Sequence, residues 1–120
     1  MYSALLLDHF QNPRYAGELP DANVTVRQEN PVCGDILELR AVVREGVITE
    51  IRFRAKGCVP SMACASAVCE LARGKTIPQV RDISREDVVG AVGGVPNGSD
   101  HAAQLALDAL VQLIAQSKEK

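Results

Sequence analysis

A change of hydrophobic period near the middle of the sequence leaves few folds open. Leu37, Leu39, Ala41 and Val43 alternate with Glu38, Arg40 and Arg44. After Glu45-Gly46, Val47, Thr49, Ile51, Phe53 and Ala55 alternate in the same way with Glu50, Arg52 and Arg54. Successive side chains of an extended strand point to opposite faces, so both runs read as strands with one apolar and one charged side. The polar link between them makes an antiparallel hairpin, and Val24 to Glu29 alternates more weakly as a strand before it. Beyond Gly57 the period lengthens to about 3.6 residues, the repeat of a helix.

Pro60-Ser61 marks the start of that helix. Met62, Ala65, Cys69 and Ala72 form an apolar stripe, and Arg73-Gly74-Lys75 carries helix-stop chemistry. Short helical pieces are expected at 77–80 and 85–92. Gly93 to Gly98 reads as a loop, after which Ser99 can cap a long amphipathic helix with Ala103, Ala106, Leu107, Leu110, Leu113 and Ile114 facing inward. At the other end, Tyr2 to Phe10 suits a short helix that stops before Asn12-Pro13, because a residue preceding proline is pushed out of the helical region. Residues 11–23 then read as loop. Strands followed by helices predict an α+β fold, a three-stranded antiparallel sheet with helices packed on one face. A chain of 120 residues with 47% apolar content suits one core, and residues 1–120 are expected to form one domain.

Several function classes are disfavoured. A net charge of -2 and 3% aromatic residues without Trp offer neither an electrostatic footprint for phosphate backbones nor stacking platforms, so no nucleic-acid partner is expected. No apolar run approaches the roughly 18 residues a membrane span needs, and Met1 to Phe10 lacks the basic leader of a signal peptide. A cytoplasmic location with no membrane partner is the expectation. In that reducing compartment four cysteines read as thiols or metal ligands rather than disulfides. The sequence also lacks a phosphate-cradling glycine loop, a nucleophile elbow and an acid/base histidine pair, so the protein is not expected to be an enzyme.

The polar residues that stand out are metal donors. Cys33 and Asp35 flank Gly34 in an extended segment, where positions i and i+2 address one point. Cys58 lies just ahead of a helix start, where free amides and the dipole favour negative charge. His101 lies in the first turn of the last helix, where the same dipole favours the neutral ring a metal requires. Two thiolates, a carboxylate and an imidazole are donors that zinc or a small iron-sulfur unit accepts. Together they carry three formal negative charges, which a divalent ion reduces to one, so occupancy should stabilise the fold.

Each residue taken singly has a plainer reading. Cys69 on its apolar stripe behaves as a small buried hydrophobe. Cys64 shares a second stripe with Val68 and Leu71 and reads as packing first, with a thiol reaching the site from one helical turn in as the alternative. His9 beside Phe10 reads as a hydrogen-bonding anchor. The spacing of Cys33, Cys58, Cys64 and Cys69 does not follow the plant-type ferredoxin run, which disfavours a dedicated electron carrier.

Longer motifs carry a family resemblance. Asp8-His9-Phe10-Gln11-Asn12-Pro13-Arg14-Tyr15-Ala16-Gly17, Val32-Cys33-Gly34-Asp35 and Phe53-Arg54-Ala55-Lys56-Gly57-Cys58, followed by the Ser61 to Lys75 segment, resemble the IscU/NifU N-terminal type of iron-sulfur cluster assembly scaffold. The likeness covers nearly the whole chain. It implies an α+β fold that builds a transient [2Fe-2S] cluster from iron and from sulfur delivered by a cysteine desulfurase, then hands it to recipient apo-proteins. By motif match Cys33, Asp35, Cys58 and His101 take the ligand positions. Two departures stand out. Ala102 occupies the place where the family usually has a third cysteine. The proline-containing, lysine-ended segment that engages a dedicated chaperone is replaced by Gly94-Val95-Pro96-Asn97-Gly98, so chaperone dependence is not carried over.

Three roles follow as expectations. The first is a scaffold binding iron or a [2Fe-2S] cluster. The second is a zinc protein that accepts sulfur from a cysteine desulfurase. The third is a degenerate, metal-free interaction module.

Overall fold

The computed structural model describes residues 2–31 and 34–117. Its elements run α1 (Ala4–Gln11), β1 (Val24–Asn30), β2 (Asp35–Arg44), β3 (Val47–Lys56), α2 (Val59–Ala72), α3 (Ile77–Arg81), α4 (Arg85–Ala91) and α5 (Asp100–Ser117). The expected α+β architecture is what forms. The sheet is an antiparallel meander in the order β1-β2-β3. Val24, Val26, Leu37, Leu39, Ile51 and Phe53 on one face join residues of α2 and α5 in the core. The opposite face is charged, with Arg27–Glu29 and Arg40–Glu38 ion pairs along its strands.

The alternation along β3 breaks at a bulge. Val42 pairs with Glu50 and Val43 with Ile48, so Thr49 is the extra residue on β3. Ile48 is consequently buried and Thr49 exposed, the reverse of the strict period-two reading. Burying isoleucine gains roughly 1.5–3 kcal/mol of transfer free energy. Thr49 keeps its hydroxyl satisfied by donating to the Val42 carbonyl at 3.2 Å. The outer edge of β3 is covered by chain at two points. Phe53 N–H donates to Tyr15 C=O and Gly17 N–H to Phe53 C=O, both at 3.0 Å, while Ile48 exchanges hydrogen bonds with Gly74 and Lys75. Such cover removes a template for edge-to-edge pairing.

Helix α2 departs from the single-stripe expectation. Ala63, Cys64, Ala65, Ser66, Ala67, Val68 and Cys69 are all buried, because the helix is packed by β3, α1, α4 and α5 on several sides. A helix surrounded by protein has no wet face to pattern, and its Ala, Ser and Cys side chains let neighbours approach closely. His9 anchors α1 to it. Its ring Nδ1 lies 2.8 Å from Ser66 Oγ, which also accepts the Arg14 N–H at 2.8 Å. In α5, Leu107 is half-exposed, and Ala102, Leu105 and Ala109 join the buried set instead. Among the described residues no helix is long and apolar enough to cross a membrane.

Candidate metal centre

Antiparallel pairing of β2 with β3 decides the location of the site. Ile36 pairs with Lys56, so the first residue of β2, Asp35, lies beside Gly57 and Cys58 where the chain leaves β3 for α2. Cys58 is the N-cap of α2, with Pro60 in its first turn and a missing proline N–H costing nothing there. Helix α5 packs on β1, β2 and α2, and its second residue, His101, completes the cluster.

Asp35 is 2% exposed, and a carboxylate so far from water needs partners for each oxygen. Its Oδ1 accepts the Cys58 backbone N–H at 3.2 Å, one of the free amides at the start of α2, where the helix dipole also favours an anion. Its Oδ2 accepts the Ser61 hydroxyl at 2.8 Å. Cys58 Sγ lies 3.2 Å from Ser61 Oγ, 3.8 Å from Asp35 Oδ2 and 3.8 Å from His101 Nε2. His101 Nε2 lies 3.4 Å from Asp35 Oδ2. No buried side-chain oxygen or nitrogen among the described residues is left without a partner.

These separations fit one tetrahedral ion. With metal–nitrogen and metal–oxygen bonds near 2.05 Å and metal–sulfur near 2.3 Å, donors at tetrahedral angles stand about 3.4 Å apart for N and O and about 3.6 Å apart for S with either. The oxygen–nitrogen edge matches at 3.4 Å, and both sulfur edges, at 3.8 Å, are within about 0.2 Å. Asp35, Cys58 and His101 form the one group of three or more potential ligands with converging donor atoms among the described residues.

The sequence as a whole matches the family model for the NifU-like N terminal domain over residues 1–120. The chain belongs to this family. As a NifU-like N-terminal domain it is 41% identical over 114 residues to an iron-sulfur cluster assembly scaffold protein IscU of Archaeoglobus fulgidus, covering 95% of this chain and 74% of that protein. It is 34% identical to the IscU scaffold protein of Escherichia coli K12, covering 99% of this chain and 95% of that one. The fold is shared with the N-terminal part of a NifU-like protein from Brucella abortus, with a TM-score of 0.82 at 19% identity over 98% of this chain and 94% of that one. A putative scaffold protein for the SUF system from Fervidobacterium islandicum superimposes with a TM-score of 0.80 at 17% identity, over 94% of this chain and 96% of its own.

Within this NifU-like domain, three of the four expected ligands converge, and the fourth, Cys33, lies outside the described residues. Cys64 is fully buried and stays out of the cluster, its thiol pushed up to about 12 by burial and by the neighbouring Cys58. Cys69 is likewise buried, with its thiol raised by desolvation. Ala102 is 1% exposed and packs in the core. Two residues escaped the sequence reading. In the sequence Ser61 looks like part of a helix start, yet the cap is Cys58, and Ser61 stands at i+3 from it on the same helix face. That spacing was the available signal. Gly57 leaves room for Asp35, which no local pattern announces.

Proposed function

We propose that this protein serves iron-sulfur cluster assembly as a scaffold, taking iron or a transient [2Fe-2S] cluster as cargo at Cys33, Asp35, Cys58 and His101 and passing it to recipient apo-proteins. Sulfur comes from a cysteine desulfurase, and the protein holds cargo rather than catalysing a reaction of its own. The observation that carries this reading is the Asp35–Cys58–His101 triangle, whose donor atoms lie at tetrahedral edge lengths in a chain of this family. Anaerobic reconstitution with iron, cysteine and a desulfurase is expected to give a visible-absorbing chromophore that is lost in Cys58→Ala. A colourless product from the native chain sinks the proposal. Asp35 acts as the weak oxygen ligand in a thiolate-poor set, so Asp35→Ala is expected to change the rate at which cargo leaves.

A second reading is favoured by the same triangle. Three donors around one point suit a single zinc ion, with Cys33 or an arriving persulfide sulfur in the fourth position. In this role a metal-held thiolate of this protein attacks the outer sulfur of the desulfurase's persulfide and becomes a persulfide, while the desulfurase cysteine leaves as a thiolate. Metal analysis of protein purified without oxygen should then show about one zinc per chain, and zinc-loaded protein should raise desulfurase turnover. Absence of that enhancement removes the acceptor role. A melting temperature indifferent to chelator, zinc and iron would leave only a metal-free interaction module.

A further inference from the structure

We propose that Ser61 is a positioning residue of the metal centre, fixing the ligand oxygen of Asp35 toward Cys58 and His101. This rests on the metal-holding reading above and adds to it a residue that touches two of the three donors. Ser61 is 5% exposed. Its hydroxyl donates to Asp35 Oδ2 at 2.8 Å and lies 3.2 Å from Cys58 Sγ, so it occupies the narrow space between carboxylate and sulfur.

The geometry explains why a hydroxyl is useful there. The terminal torsion of a carboxylate is soft, and one hydrogen bond leaves the group free to turn about it. Cys58 N–H holds Oδ1 at 3.2 Å, and Ser61 holds Oδ2. Both donors come from the start of α2, so the carboxylate plane is clamped to the same helix that carries Cys58. Each carboxylate oxygen has two lone pairs. With one on Oδ2 taken by Ser61, the other remains for the side where His101 Nε2 lies 3.4 Å and Cys58 Sγ 3.8 Å away. A hydroxyl is also neutral, so it orients the carboxylate without adding to the negative charge of the ligands. Ser61 thus acts through Asp35, as an outer partner that aims a ligand.

The test compares the native chain with Ser61→Ala, Ser61→Thr, Asp35→Ala and the Asp35→Ala/Ser61→Ala double variant. Each is titrated with zinc against a chromophoric chelator and with cobalt(II), read by its visible ligand-field absorption. Loss of an outer partner should weaken zinc binding about tenfold or more in Ser61→Ala and alter the cobalt spectrum, while Ser61→Thr, which keeps the hydroxyl, stays nearer the native values. In the Asp35→Ala background, removing Ser61 should change affinity by less than about twofold, since the residue it aims is gone. That background also leaves no buried carboxylate unpaired, so it remains informative if Ser61→Ala folds poorly. Native affinity and spectrum in Ser61→Ala overturn the proposal alone. An undiminished further loss in the double variant overturns it too, by showing that Ser61 acts on the ion directly. A native chain that binds neither zinc nor cobalt overturns this proposal together with the reading beneath it.

Discussion

A β-carbon added at Gly57 would lie 2.2 Å from Asp35 Oδ1 and 2.8 Å from its Cγ. Glycine is therefore the residue that lets the end of β3 pass over the buried carboxylate, and the proposed metal centre depends on a side chain that is not there. Gly57→Ala should push Asp35 out of its place. Zinc affinity is expected to fall at least about tenfold, as for loss of a ligand's orientation, with a stability cost of about 1–3 kcal/mol from overpacking. Zinc titration and urea unfolding measure the two effects, and native affinity in this variant would contradict the geometry.

Cys64 and Cys69 are inert by burial. Desolvation raises both thiols, Cys64 to about 12, whereas Cys58 is exposed. The thiolate is the reactive form, so a brief iodoacetamide pulse on metal-free native protein near neutral pH should modify Cys58 and spare Cys64 and Cys69 until the chain is unfolded. Peptide mapping by mass spectrometry reads this directly. In the same way, Cys64→Ala should leave zinc affinity within about twofold of native, as expected for a residue that is not a ligand.

His9 is expected to make the fold acid-sensitive. Its pKa is lowered from 6.5, first by burial and then by Arg14. Below about pH 6.5 the unfolded chain binds a proton that the folded one resists, so stability should fall as pH drops through that value toward the folded pKa; above it this contribution is constant. The slope from one group cannot exceed about 1.4 kcal/mol per pH unit. Urea midpoints at about pH 7.5 and about pH 5.5 should differ more for native protein than for His9→Gln. Equal differences would place the acid sensitivity elsewhere.

The bulge in β3 predicts unequal costs for two adjacent residues. Ile48→Ala should destabilise by about 2–5 kcal/mol, as for other core truncations. Thr49→Ala should cost about 1 kcal/mol or less, the net worth of one partly buried hydrogen bond. Reversed values in chemical denaturation would restore the uninterrupted alternation.

The sequence by itself determined the element types and the candidate donors. Alternation in β2 and β3 and the longer period after Gly57 are local properties, imposed by how consecutive side chains project from an extended or helical backbone, and they need no knowledge of the rest of the chain. Cys58 and His101 could be named because the chain has only four cysteines and two histidines, and Asp35 because it stands two residues from Cys33 in a motif that resembles the family's. Only the tertiary structure decided that Thr49 yields its inward place to Ile48, that α2 is enclosed nearly all round, and that Ser61 and Gly57 frame the carboxylate. Each of those depends on the register between β2 and β3 and on how the first turn of α2 docks against the start of β2. Contacts between segments distant in sequence leave no period in it, so a serine in a helix start and a glycine before a cysteine look ordinary until the chain is folded around them.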